Sequence, residues 1–283
     1  MAIDISFLDE LRKFNLIVKK RVTSIYIGPR RSIAVGKGVS FQDHRMYSPG
    51  DDIRLIDWNV YARTDDLYIK NYEEERNLTV HIILDYSESM NFGKKITKFE
   101  YGAMMGIGFA YLTMKDNEKF QLSTFAEDIQ VFQPKKGMSQ LASVVQHINS
   151  IKTKGQSRML TALSHYKRFI SGRSMIVLIS DFLLDIEEIK ESLYRLGKNE
   201  VRVIHLLDPS EKEIAVKGDN ILKDSETGDK TRTNISTRQR LRYQEMLENH
   251  MKEIEKTCLT LGYKYYQITT EKPLFESFYE ILE

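Results

Sequence analysis

From Asn77 onward the chain alternates short, almost wholly apolar runs with longer stretches whose apolar residues recur at helical spacing. That alternation limits the fold more than any other feature, because strands buried on both faces and separated by helices form a parallel sheet covered on two sides. The strands expected are Leu78–Leu84, Lys119–Phe125, Ile129–Phe132, Ser174–Ile179, Val201–Leu207 and Tyr263–Ile268. The helices expected are Thr97–Lys115, Ser139–Ile151, Leu160–Ile170, Asp185–Gly197, Ser236–Leu261 and a last one after Pro273. Between the fifth strand and the long helix, residues 211–235 are polar, and Glu226-Thr227-Gly228-Asp229 reads as the turn of an inserted hairpin.

Upstream of Asn77 the texture differs. Ser6 can cap a helix carrying Phe7, Leu8, Leu11, Phe14, Ile17 and Val18, whose apolar stripe needs a neighbour to bury it. Gly28-Pro29-Arg30-Arg31 breaks the chain, and the basic, glycine-rich stretch to Gly38 reads as a solvated loop, with a docking strip for an acidic partner as the sharper alternative. Val39 to Tyr72 suggests short strands and turns, with Pro49-Gly50 suited to a type II turn. Arg45, Arg54 and Arg63 alternate with Asp51, Asp52, Asp57 and Asp65, as in an internal ion-pair network, with an exposed recognition surface as the sharper alternative, and Trp58 reads as core rather than contact. The boundaries implied are an N-terminal helix in residues 1–27, a β-rich module in 28–76 and an α/β domain in 77–283.

A chain of 283 residues with a net charge of +2 carries no bulk field to favour nucleic acid or an anionic membrane. Its one cysteine, Cys258, has no partner for an internal disulfide, which suits a reducing compartment. Met1-Ala2-Ile3-Asp4 opens no secretory signal, and apolar runs such as Met175–Ile179 are strand-length rather than membrane spans. The expectation is a cytoplasmic protein without a direct membrane span.

Chemistry is expected beyond the carboxyl ends of the strands, where an open sheet reverses its winding. Asp85 closes the first strand and is followed by Ser87 and Ser89, while Asp181 follows Met175-Ile176-Val177-Leu178-Ile179-Ser180. A third loop, Lys154-Gly155-Gln156-Ser157-Arg158, can bring in another hydroxyl. Hard oxygen donors of this kind suit a divalent ion such as Mg2+. Asp181 alone would read as a helix N-cap; taken with Asp85, Ser87 and Ser89, the ligand reading prevails because topology makes all four converge. The six histidines are scattered without a partner at ligand spacing, so zinc is not expected, and His81 and His205 read as satisfied core residues.

Asp85-Tyr86-Ser87-Glu88-Ser89, then a hydroxyl in a glycine-containing loop, then an Asp after the next buried strand, resembles the metal-ion-dependent adhesion site of von Willebrand factor A-type domains. The upstream run Tyr47-Ser48-Pro49-Gly50-Asp51-Asp52-Ile53-Arg54-Leu55-Ile56-Asp57-Trp58, continuing into Tyr61-Ala62-Arg63-Thr64, resembles domain-of-unknown-function family fifty-eight. The resemblance implies a von Willebrand factor A-like, doubly wound, mostly parallel sheet with helices on both faces, plus a small N-terminal β module. It implies Asp85, Ser87, Ser89, Ser157 and Asp181 as ligands of Mg2+ or Mn2+, and partnership with a MoxR-type AAA+ ATPase or its client proteins in chaperone-like remodelling. The pattern departs at Arg158, where an Asp is usual, placing a positive charge beside the third loop or turning it outward.

The reading that follows is a non-enzymatic binding module. The alternatives are a Mg2+-dependent phosphotransfer or hydrolase enzyme using Asp85 and, for which Arg158 is the best argument, a scaffold whose site holds no metal. Against the enzyme, the chain has no phosphate-binding glycine loop and no serine-nucleophile elbow, and Gly102, Gly106 and Gly108 lie in a helical pattern suited to close packing.

Overall fold

The structure, a computed structural model, describes residues 7–14, 31–35, 40–75, 78–133, 135–170, 174–212, 218–223 and 230–282. The chain divides into two compact units, one of Met1–Thr23 with Leu78–Glu283 and one of Ser24–Asn77.

The smaller unit is a three-stranded antiparallel sheet in the order β1 (Arg31–Val35), β3 (Tyr68–Glu75), β2 (Ser40–Met46). Arg31–Val35 therefore corrects the expected loop: the strand is held by β3, with Ala34 opposite Tyr72, a partner nearly forty residues away that local pattern does not reveal. Residues 28–30 and 36–38 of that stretch lie outside the described residues. The type II turn forms, with Gly50 at φ 109° and Asp51 N donating to Ser48 O at 3.0 Å.

A second departure is α2 (Trp58–Thr64), a short helix where only strands and turns were expected. Asp57 caps it by accepting from Asn59 N at 3.1 Å, and Asp65 closes it in the left-handed region at φ 64°. The supposed ion-pair network is correspondingly reduced. Arg45 grips Asp51 through two bonds of 2.6 and 2.8 Å, but Asp52 and Asp57 serve as caps. Trp58 is not core: it is 56% exposed and edge-on to Tyr61, with ring centroids 6.0 Å apart.

The larger unit carries the doubly wound sheet. Its strands are β4 (Thr79–Asp85), β5 (Lys119–Phe125), β6 (Ile129–Val131), β7 (Ser174–Ser180), β8 (Glu200–Leu207) and β11 (Lys264–Thr269), in the order β11-β8-β7-β4-β5-β6. All neighbours are parallel except β5–β6. Winding runs outward from β4 through β5 to β6, then resumes on β4's other side with β7, β8 and β11, so the reversal lies between β4 and β7. Every expected strand is present, with ends shifted by no more than one residue.

Strand parity sorts the core into two layers. Ile83, Phe125, Ile176, Leu178, Val201 and Val203 pack with residues of α5 (Met159–Tyr166), α6 (Ile186–Arg195) and α8 (Thr237–Leu261). Ile82, Leu84, Leu122 and Ile179 face α3 (Lys98–Lys115), where a Cβ on Gly102 would come within 2.9 Å of Leu206 and 3.0 Å of Leu84. Glycine there lets α3 lie directly on the sheet, as the spacing of the helical glycines implied. The expected Leu160–Ile170 helix appears as α5 followed by a 3-10 turn over Lys167–Phe169.

Residues 7–14 form α1, which buries Phe7, Leu11 and Phe14. Phe14 stacks within 5.0 Å of Phe275 and Tyr279 on α9 (Leu274–Leu282). Ser6, Ile17 and Val18 lie outside the described residues. Among the remaining helices, α4 (Met138–Ser150) precedes the Ser157 loop and α7 (Pro209–Lys212) follows β8. The inserted hairpin is β9 (Gly218–Lys223) paired antiparallel with β10 (Lys230–Ile235), and its expected turn at residues 226–229 lies outside the described residues. Cys258 sits on α8 with no exposure, and burial pushes its thiol up to about 12. Among the described residues no helix is long and apolar enough to cross a membrane.

Candidate functional site

Three loops meet at the carboxyl end of β4, and their backbones are knitted together. Tyr86 N donates to Phe125 O at 2.9 Å, Glu88 N to Gly155 O at 3.0 Å, Lys154 N to Tyr86 O at 3.1 Å and Arg158 N to Ala126 O at 2.9 Å. The Ser157 loop, seventy residues from Asp85, is thereby fixed against it. Gly155 makes this possible: its φ is +70°, and a Cβ would stand 2.7 Å from the Glu127 carboxylate.

Asp85 is fully buried at the centre. Its Oδ2 accepts from Ser157 Oγ at 2.9 Å and Ser180 Oγ at 2.8 Å, and its Oδ1 accepts from Ser87 N at 2.9 Å. Ser87 Oγ lies 3.1 Å from Ser89 Oγ, and both serines are buried. Burial, reinforced by the Asp181 charge nearby, raises the Asp85 carboxyl to about 6.

Asp181 follows β7. Since Ser180 shares a sheet face with Asp85, strand alternation turns Asp181 toward the α3 side. There its Oδ2 accepts from Lys98 Nζ at 2.7 Å, and the same ammonium donates to Glu211 Oε1 at 2.5 Å. Lys98 is fully buried and Asp181 is 2% exposed. Phe182, also buried, holds φ 49°, a strained conformation for a bulky side chain. It is held there by its N–H donating to Ser180 Oγ at 3.1 Å and by its carbonyl accepting from His250 Nε2 at 2.8 Å.

Of the residues picked from sequence, Asp85, Ser87, Ser89 and Ser157 form one hydrogen-bonded group, and Asp181 stands beside it, engaged by Lys98. Arg158 is exposed, its side chain turned out to solvent. Sequence reasoning missed Ser180, Lys98 and Glu211. Ser180 was legible in principle, because it lies one residue beyond the pairing of Leu84 with Ile179. Lys98 and Glu211 were not, because their pairing spans 113 positions.

Among the described residues no three His, Cys, Asp or Glu side chains cluster as a metal site. The group at β4 has another composition, with two carboxylates, Asp85 and Asp181, and four hydroxyls, those of Ser87, Ser89, Ser157 and Ser180. Such an all-oxygen set with little charge fits a hard ion that retains water, such as Mg2+, and does not fit zinc. His81 and His205 lie in the core as expected but are only half satisfied, since the Nε2 of each has no hydrogen-bond partner among the described residues. Their Nδ1 atoms lie 2.8 Å from Tyr166 OH and 2.7 Å from Tyr265 OH, and burial lowers them to about 4 and about 3.

The family model described as "Protein of unknown function DUF58" matches residues 43–253. An uncharacterized protein of Mycobacterium tuberculosis, Rv1480, is 26% identical over 225 residues, covering 77% of this chain and 70% of the relative. Among solved structures, BatB from Bacteroides thetaiotaomicron is 20% identical with a TM-score of 0.46, covering 72% of this chain and 98% of that one. The SpRpn10 VWA domain is 12% identical with a TM-score of 0.45, covering 72% and 94%.

Proposed function

Since the chain belongs to the DUF58 family, whose signature it carries beside a von Willebrand A-like sheet, we propose that it is a protein-interaction module whose contact point is a Mg2+ ion at the end of β4. Asp85, Ser87, Ser89, Ser157 and Asp181 would hold the ion, some through water, and Mn2+ would substitute. The ion supplies a positive centre able to accept a carboxylate from another protein. The chain's own residues do the rest: the serines fix Asp85, the knitted loops hold the three segments together, and Phe92 and Leu183, 46% and 45% exposed, offer apolar surface nearby. A charge-assisted contact ringed by apolar groups is strong because its rim excludes water.

The observation carrying this reading is the convergence on one fully buried carboxylate, Asp85, of hydroxyls from two further segments, with a second carboxylate alongside. Lys98 compensates Asp181, and the Asp85 charge beside it is what a bound cation would offset. The family resemblance supplies the partner in this reading: a MoxR-type AAA+ ATPase or a protein that it remodels.

The test is a titration of Mg2+ and Mn2+ followed by thermal unfolding, with capture of a purified MoxR-type ATPase in parallel. At a hundredfold excess over Kd, the wild type should gain about 3 kcal/mol, a shift of several degrees. Asp85→Ala should gain nothing and capture nothing. Capture that survives both chelator and Asp85→Ala would refute the metal-dependent contact.

A further inference from the structure

Lys98 is the least expected residue of the site. It opens α3, directly after the Thr97 cap, where the helix dipole disfavours a cation. It is also wholly removed from water, as lysines rarely are without a partner. Burial alone would depress its ammonium, but Asp181 and Glu211 outweigh this and hold it above the usual lysine range. Asp208 stands close enough for its own acidity to respond to the Lys98 charge, and the Phe92 ring lies 5.8 Å from the ammonium. Buried ion pairs often add little net stability compared with apolar packing, so stability alone is a weak reason for a lysine here.

We propose that Lys98 is a resident cation that competes with the divalent ion for Asp181 and thereby sets how tightly that ion is held. This rests on the metal-site reading above and adds to it a residue that is not a ligand. Asp181 cannot give its full charge to Mg2+ while Lys98 Nζ sits 2.7 Å from Oδ2. Glu211 is the other half of the device. With Oε1 2.5 Å from the same ammonium, it keeps Lys98 paired when the ion draws on Asp181, so lysine need not leave the interior. Glu211 is itself anchored, its Oε2 accepting from Asp208 N at 2.8 Å at the start of α7. Asp85, Asp181 and Glu211, with Asp208 beyond Glu211, outnumber the single lysine and leave a net negative charge that a divalent ion would offset. With Lys98 engaging Asp181, the grip on the ion is weaker than two undistracted carboxylates would make it.

The two partners of Asp181 predict opposite effects. Mn2+ binding to the full chain is measured by the loss of the free-ion paramagnetic resonance signal, with thermal unfolding recorded on the same samples. Lys98→Met should bind Mn2+ about tenfold more tightly than wild type, the order expected for removing one like charge next to the site. Glu211→Gln should bind it about threefold or more weakly, because Lys98 then has only Asp181. Lys98→Met should also be less stable than wild type without metal and recover more stability on Mn2+ saturation, whereas a merely structural lysine would cost the same in both conditions. Equal Mn2+ affinity in wild type and Lys98→Met, or tighter binding by Glu211→Gln, overturns the role of Lys98 and leaves the metal site standing. Absence of Mn2+ binding in all three proteins overturns the metal site, and this inference with it. If Lys98→Met does not fold, the sign of the Glu211→Gln change decides alone.

Discussion

Three buried side chains, His81, His205 and Asp85, change their proton affinity on folding. Near pH 5 the unfolded chain carries protons on both His81 and His205, whereas in the folded protein burial keeps the two rings neutral down to about 4 and about 3. These depressed histidines contribute stability that is fully present above about pH 6.5 and is lost as pH falls. Asp85, raised to about 6, works in the other direction: it binds a proton in the folded state that the unfolded state has released, and its contribution is lost as pH rises through 6. Over these three groups the unfolded state holds more protons at pH 5, so together they make stability rise with pH there. Asp85→Asn removes the opposing contribution, so its plot of unfolding free energy against pH should be steeper than that of wild type near pH 5. Urea titrations across pH 4.5 to 6 would measure it; identical slopes would mean that Asp85 is already ionised in the fold. At this scale the sequence revealed much, because Asp85, Ser87 and Ser89 are consecutive neighbours at a strand end. The Lys98–Glu211 pairing stayed hidden, since Lys98 looks like any charged residue in the first turn of a helix.

The helices and strands were legible wherever the chain itself carries the periodicity. Apolar runs such as Met175–Ile179 are buried on both faces, so they are continuous and easy to read. Two elements were not legible, for distinct reasons. α2 is seven residues long and owes its ends to Asp57 and Asp65 rather than to an apolar stripe. β1 is a strand only because β3 pairs with it. The glycines of α3 show packing overruling propensity. A Cβ at Gly108 would lie 2.1 Å from the Phe278 ring. Alanine gains about 1 kcal/mol in a free helix, yet Gly108→Ala should destabilise by about 1–2 kcal/mol, because overpacking costs more. Combining it with Phe278→Leu, which shortens the obstructing side chain, should recover part of the loss. Additive effects in that double-mutant cycle would contradict the contact.

At the scale of the whole molecule, the two compact units have separate optical reporters. The sole tryptophan, Trp58, belongs to the smaller unit and is more than half exposed. Its emission should therefore lie near that of a solvated indole and be readily quenched by acrylamide. Far-ultraviolet circular dichroism is dominated by the larger unit, which contains the proposed ion site. Added Mn2+ should raise the dichroism midpoint and leave the tryptophan midpoint unchanged; equal shifts in both signals would show that the units unfold as one. The thiol of Cys258 extends this to time. Sealed beneath α8 and almost never ionised at neutral pH, it can react with a maleimide only when that helix lifts from the sheet. Under excess reagent the alkylation rate becomes a clock for those rare openings, read at a single atom and without denaturant.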